Sequence, residues 1–147
     1  MKQIMRVLTS VGMVAIGLLV NLNAAAIAGD VVAVVSSKSS VTALSANQVG
    51  DIFLGKSNRF PDGSPAVPID QAEGSPARDA FYAKVTGKSP AQLKAHWSKI
   101  IFTGRGQPPR EVTNGAALKK LVADDPKAIG YIEQDLLDGS VRTLLSP

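Results

Sequence analysis

The chain has 147 residues, no cysteine, a single histidine and a formal net charge of +4. Without cysteine there is no disulfide framework, so the fold must be held by its hydrophobic core. The charges are scattered, whereas nucleic-acid binding would require a basic stripe with stacking aromatics. Composition therefore indicates a globular domain that does not bind nucleic acid.

The first residues have the pattern of an export signal. Lys2 and Arg6 form a basic region, residues 7–20 are apolar, and Ala26 and Ala28 occupy the positions that a signal peptidase reads. We expect residues 1–28 to be a cleaved signal peptide, which leaves one domain at residues 29–147 with a net charge of +2. A membrane anchor is the alternative, but the apolar run is shorter than the roughly 20 residues that span a bilayer.

This pattern predicts a periplasmic or secreted protein that meets the membrane only during export. The domain is large enough for a single core and too small for two domains of ordinary size.

Strands and helices alternate along the predicted domain. Apolar runs predict strands at residues 31–35, from Val67, at 128–132 and at 141–145. Residues 104–110 contain two glycines and two prolines, and we expect them to be irregular. The alternation predicts an α/β fold, a mainly parallel sheet flanked by helices.

Four helix starts carry capping signals. Ser-Pro pairs begin two of the helices, and serine-to-glutamine capping-box spacing marks two. The predicted N-caps are Ser45, Ser75, Ser89 and either Thr113 or Asn114. Gly55 and Gly87 are placed to end the first two helices, and the third helix carries an apolar stripe of Leu93, Trp97, Ile100 and Ile101.

Residues 67–85 form a predicted strand-turn-helix unit, which is the main candidate for a binding site. Ser75 and Pro76 begin its helix, and backbone N–H groups at such a start can hold an anion. The same serine is also an ordinary N-cap, so both interpretations stay open. Ser36 and Ser37 follow a predicted strand at its carboxyl end, where open α/β sheets bind ligands, and are further candidates.

Several stretches together resemble one family. Residues 51–56 read DIFLGK, 61–63 read PDG, 73–75 read EGS and lead into RDAF at 78–81, and 128–132 read AIGYI. In this order and spacing they resemble the periplasmic phosphate-binding proteins of ABC transporters. The resemblance covers nearly all of the predicted domain and only one of the two lobes of that family.

The resemblance implies a fold in which an anion lies between two lobes, held by hydroxyls, helix-start N–H groups, an arginine and an acceptor carboxylate. Its implied ligand residues here are Gln71, Glu73, Gly74, Ser75 and Arg78. The family loop usually has arginine, glycine and threonine where this chain has Gln71, Pro76 and Ala77. Arg78 is alternatively a surface charge paired with Asp79 or Glu73.

The resemblance implies an exported domain that binds phosphate or a similar oxyanion, weakly or in a shared site, beside an ABC transporter. The alternative is a periplasmic interaction module that keeps the fold and meets an envelope sensor, a second lobe or a second copy in a homodimer. Catalysis is not expected, because the chain has no cysteine nucleophile and His96 has no partners of metal-site spacing. No cofactor and no metal are expected.

Overall fold

The structure, a computed structural model, describes residues 30–144. The predicted signal peptide and Leu145 lie outside this range. Five strands and four helices of eight residues or more follow one another in the described part. The strands are β1 (Val31–Ser36), β2 (Val67–Gln71), β3 (Arg110–Val112), β4 (Ala128–Glu133) and β5 (Val141–Thr143). The helices are α1 (Ala46–Phe53), α2 (Pro76–Thr86), α3 (Pro90–Phe102) and α4 (Gly115–Asp124).

The strands form one sheet in the order β3-β2-β4-β1-β5. β2 pairs in parallel with β3 and β4, whereas β1 pairs antiparallel with β4 and β5. Four strands therefore run in one direction and only β1 opposes them. The predicted α/β fold with a mainly parallel sheet flanked by helices is confirmed, with β1 as the exception.

The direction of β1 decides which residues share an end of the sheet. Val31 pairs with Glu133 at the carboxyl end of β4, and Val35 pairs with Ile129 near its start. Ser36 therefore lies at the end where β2 and β4 begin, and Gln71 lies at the end where they finish.

Helices cover both faces of the sheet. Helices α1, α2 and α3 share one core with alternate residues of β1, among them Val31 and Val35, and α4 covers the other face with Val32 and Val34. This explains the uninterrupted apolar run in β1, since a strand covered on both faces buries every side chain. Gly130 lets α4 approach β4 closely, because a side chain there would overlap Leu118.

The capping predictions are confirmed. Ser45 and Ser89 form reciprocal capping boxes with Gln48 and Gln92, and Ser75 and Asn114 cap the other two helices. Gly87 ends α2 in the left-handed conformation, with φ +69°.

Two local predictions were wrong. Arg110 belongs to β3 and not to the irregular loop that its neighbouring glycines and prolines predicted. Its pairing with β2 determines its conformation. Ile101 is 55% exposed, since α3 turns only Leu93, Trp97 and Ile100 toward the core. Within residues 30–144, no helix combines the length and the apolar composition that crossing a membrane requires.

Candidate functional site

The loop between β2 and α2 is a tight turn that places Ser75 at the N-cap of α2. Gly74 has φ +87°, a value that suits glycine, and the Ser75 N–H donates to the Ala72 carbonyl at 3.1 Å. The Ser75 hydroxyl accepts a hydrogen bond from the Arg78 N–H at 3.4 Å. Pro76 occupies the first helical position and has no N–H to offer.

The Ser75 hydroxyl is also a donor. It donates to Gln71 Oε1 at 3.0 Å, and the Gln71 side chain is 2% exposed. Gln71 Nε2 in turn donates to the Tyr131 carbonyl at 3.4 Å, and the Gln71 N–H donates to the Tyr131 hydroxyl at 3.1 Å. Both of these predicted site residues thus belong to a hydrogen-bonded chain that runs from the surface turn into the core.

Asp70 lies at the centre of this arrangement and is 1% exposed. Its Oδ2 accepts from the Tyr82 hydroxyl at 2.7 Å and from Arg78 Nε at 3.4 Å, and its Oδ1 accepts from the Tyr131 hydroxyl. We call the five residues Asp70, Gln71, Arg78, Tyr82 and Tyr131 the Asp70 network. Arg78 is buried at the edge of the core, in contrast to the surface charge that its sequence position allowed.

The electrostatics of the Asp70 network follow from burial. Burial disfavours the charged form of Arg78, but the Asp70 carboxylate together with Tyr82 and Tyr131 outweighs this effect and raises the pKa of Arg78. Burial, reinforced by Asp70, raises the pKa of both Tyr82 and Tyr131. The two phenols therefore stay neutral donors, and the positive charge of Arg78 is largely offset by Asp70.

A surface cavity of about 180 Å³ opens beside this network. We call it the Arg78 cavity, and its polar lining comprises Glu73, Arg78, Lys94, Ser98 and Glu111. Arg78 Nη2 lies 3.7 Å from Glu111 Oε1, so the guanidinium connects the buried Asp70 with the cavity. Glu73, Gly74, Lys94 and Ser98 are exposed.

Ser36 and Ser37 lie at the opposite end of the sheet from Ser75. The Ser36 hydroxyl is buried and donates to the Ala123 carbonyl at 3.0 Å, and the Ser37 N–H donates to the Ser140 carbonyl at 3.0 Å. Their prediction assumed that the carboxyl ends of β1 and β2 lie at the same end of the sheet. Because β1 runs antiparallel to β4, its carboxyl end lies at the opposite end from that of β2. The structure thus brings together Gln71, Glu73, Gly74, Ser75 and Arg78 but not Ser36 and Ser37.

The sequence analysis missed Asp70, Tyr82 and Tyr131. Asp70 carried a usable signal, because a charged residue inside an apolar strand must find a partner when the strand is buried. Lys94 and Ser98 carried no signal, since two exposed polar residues one turn apart on a helix are ordinary.

His96 is separate from this site. Its Nε2 lies 2.8 Å from the Leu54 carbonyl, so the imidazole joins α3 to the end of α1. Among residues 30–144, no group of three or more histidine or acidic side chains is arranged to hold a metal ion.

The sequence matches no protein-family model and no curated protein. The fold, however, is similar to solved structures of substrate-binding proteins. One is a putative phosphate ABC transporter substrate-binding protein with bound phosphate from Clostridium perfringens, with a TM-score of 0.60 and 25% identity over 78% of this chain. The resemblance seen in the sequence is confirmed. An ABC-type phosphate transport receptor from Vibrio cholerae has a TM-score of 0.59 and 18% identity over the same share of this chain.

The similarity covers only part of each of these proteins. It spans 43% of the Clostridium perfringens chain and 44% of the Vibrio cholerae chain. PstS from Borrelia burgdorferi is similar over 46% of its own length, with a TM-score of 0.55 and 13% identity. The likeness therefore extends to less than half of each of these proteins.

Proposed function

We propose that this chain is an exported, non-catalytic solute-binding-protein-like lobe that binds phosphate or a similar oxyanion at the start of α2, weakly or in a site shared with a partner. The observation that carries the proposal is the likeness to a substrate-binding protein with bound phosphate, at 25% identity over 78% of the chain. The periplasm is the expected compartment, and an ABC transporter is the expected partner in transport.

The local geometry supports an anion at this position. Ser75 is half-buried at the start of an eleven-residue helix, whose dipole favours negative charge. The neighbouring Arg78 cavity, which Glu73 lines and Ser75 does not, adds a cation from Lys94 and a hydroxyl from Ser98. Glu73 supplies a carboxylate that accepts a hydrogen bond from a protonated phosphate oxygen and repels a fully ionised anion such as sulfate.

The same geometry predicts that binding by this lobe alone is weak. Arg78 already pairs with Asp70, and the Ser75 proton must turn from Gln71 to the anion. An anion in an open cavity also keeps much of its water, so few protein donors replace its hydration. A second lobe or a partner that covers the cavity would supply the remaining donors.

Calorimetric titration with phosphate, sulfate and acetate tests the proposal. We expect a dissociation constant for phosphate in the millimolar range and weaker binding of sulfate. Glu73→Gln should reduce the preference for phosphate over sulfate, because it removes the acceptor carboxylate. Lys94→Gln should weaken binding of both anions.

Ser75→Ala and Ser89→Ala form a matched pair. Each serine caps a helix whose first residue is proline, but only Ser75 lies at the proposed site. We expect Ser75→Ala to abolish phosphate binding and Ser89→Ala to retain it in protein that is still folded by circular dichroism. Equal phosphate affinity in the two variants would contradict a site at the start of α2.

A periplasmic interaction module is the second candidate. The pairing of Arg78 with Asp70 favours it, because that pairing leaves the cation little charge to offer an anion. This candidate predicts no heat and no thermal stabilisation at millimolar phosphate. Sedimentation velocity over a range of protein concentrations tests a homodimer, and a monomer throughout would count against that partner.

A further inference from the structure

An open groove of about 600 Å³ lies along α3, away from the Ser75 turn. Its apolar lining comes from the end of α1, the start of β2, α3 and the loop before β3, and includes Ile52, Leu54, Val67, Trp97, Ile100 and Pro108. We call it the α3 groove. Its volume is in the range of sites that bind small organic molecules, roughly 300–1,000 Å³.

Every charged residue that lines the α3 groove is basic. Lys56 follows α1, Arg105 follows α3 and Arg110 begins β3, and no carboxylate is among the lining residues. Lys56 lies 3.9 Å from the exposed Asp51, whereas Arg105 and Arg110 have no ion-pair partner among residues 30–144. Three separate segments of the chain thus bring positive charge to one apolar groove.

The groove is distinct from the proposed anion site. It contains Val67 and Pro68, where β2 begins, whereas the Ser75 turn follows Gln71, where β2 ends. The polar groups that line the Arg78 cavity are all absent from the α3 groove. Trp97 and Pro108 line both sites, so Trp97 fluorescence reports on either site but does not distinguish them.

We propose that the α3 groove binds a small amphipathic carboxylate, an acyl or aryl group that carries at least one negative charge. The apolar part would lie on Ile52, Trp97 and Ile100, and the carboxylate would lie between Arg105 and Arg110, whose guanidinium groups match carboxylate geometry. Binding requires both the apolar residues and the basic residues of the groove, so neither a simple anion nor an apolar cation should bind well.

Three probes separate these requirements in a phosphate-free buffer. Decanoate has both the apolar chain and the carboxylate, acetate has only the carboxylate, and decyltrimethylammonium has a chain of the same length with a positive charge. Each is titrated below its micelle-forming concentration, with Trp97 emission and calorimetry as readouts, since Trp97 is the only tryptophan of the chain. We expect saturable binding of decanoate alone.

An Arg105→Gln/Arg110→Gln double variant locates the site. We expect it to weaken decanoate binding about fivefold or more, because each exposed charge pair contributes modestly. Lys84→Gln/Lys120→Gln removes the same charge from exposed positions outside the groove and should bind decanoate like the unmodified chain.

Three results would overturn the proposal. The first is equal affinity for decanoate and decyltrimethylammonium, which would reduce the groove to a nonspecific apolar surface. The second is unchanged decanoate binding in the double arginine variant. The third is a dimer, detected by sedimentation, whose formation competes with decanoate, since a second copy of the chain would then be the occupant of the groove.

Discussion

Helices α2 and α3 begin with the same two residues, serine and proline, yet the two starts are connected to the fold in different ways. At α3, Ser89 and Gln92 exchange hydrogen bonds with each other's backbone at the exposed helix start. At α2, Ser75 instead donates to the buried Gln71, which connects it to the Asp70 network. One local signal thus serves as a self-contained cap in one place and as the outer end of a buried polar network in the other.

The difference shows what a capping motif does and does not determine. It fixes where a helix begins, because the serine hydroxyl satisfies a backbone N–H that has no partner within the helix. It does not determine what else the hydroxyl contacts: Gln71 reaches Ser75 through the turn, and Gln71 contacts Tyr131 only because β2 lies beside β4.

The strongest test of this comparison removes the centre of the network. Asp70→Asn removes the buried counter-charge of Arg78 and leaves only the solvent-exposed Glu111 beside the guanidinium, and we expect a loss of about 3–5 kcal/mol in the free energy of unfolding. Urea denaturation followed by circular dichroism measures it. The cap of α3 has no buried charge, so no single substitution of Ser89 or Gln92 should approach this loss.

A double-mutant cycle separates lost pairing from damaged packing. Arg78→Met in the Asp70→Asn background removes the unpaired charge, so the double variant should be less destabilised than the sum of the two single variants. Strict additivity would mean that Asp70 and Arg78 do not interact.

The second test is alkaline pH. The pKa values of Tyr82 and Tyr131 are raised in the folded protein, so the stability they provide is complete below pH 10, the ordinary pKa of tyrosine, and falls as the pH rises above it. Between pH 10 and 11 we expect a loss of about 2 kcal/mol from the two phenols together. Denaturation at several pH values measures this loss.

Tyr82 and Tyr131 are the only tyrosines of the chain, so a Tyr82→Phe/Tyr131→Phe variant is the control. Its stability should fall less steeply above pH 10, because only lysine and other basic groups still titrate. An unchanged slope would show that the two phenols ionise as readily in the folded as in the unfolded chain.

The third test compares the two serines directly. Ser89→Ala removes a cap and should cost about 1 kcal/mol of unfolding free energy. Ser75→Ala removes a cap and also leaves the side-chain Oε1 of Gln71 without its donor, so we expect about 2 kcal/mol. Thermal denaturation of the two variants side by side measures the difference, and equal losses would mean that the link to Gln71 contributes nothing.

The smallest expected effect is a gain in stability at the start of α3. Gln92→Glu keeps the capping box of α3 and adds a negative charge to its first turn, where α2 already has Asp79. We expect a stabilisation of about 0.3–1 kcal/mol that decreases with added salt. Thermal denaturation at low and high ionic strength measures it, and a salt-independent change would rule out the dipole explanation.

The sequence was sufficient for features that depend on neighbouring residues. The N-cap at Ser75, the end of α2 at Gly87 and the apolar run of β1 each follow from a few adjacent positions. The direction of β1 and the existence of the three-residue β3 could not be predicted from the sequence, because both depend on strand pairing between distant segments.

The candidate site divides in the same way. Ser75, Glu73 and Gly74 are found from the turn alone, and their ligand role stays a prediction. The burial of Arg78 was not predicted, because its partner Asp70 lies eight residues earlier on a strand and Tyr131 lies sixty-one residues beyond Asp70. Only the folded sheet brings them together.

The opposed direction of β1 has a further consequence for any domain joined to this lobe. The chain enters β1 at Val31, beside the carboxyl end of β4, and leaves β5 at Thr143, which pairs with Val34. The start of β1 and the end of β5 therefore both point toward the end of the sheet where the Ser75 turn lies. A domain joined to both strands by genetic fusion would be attached on that side, close to the proposed anion site.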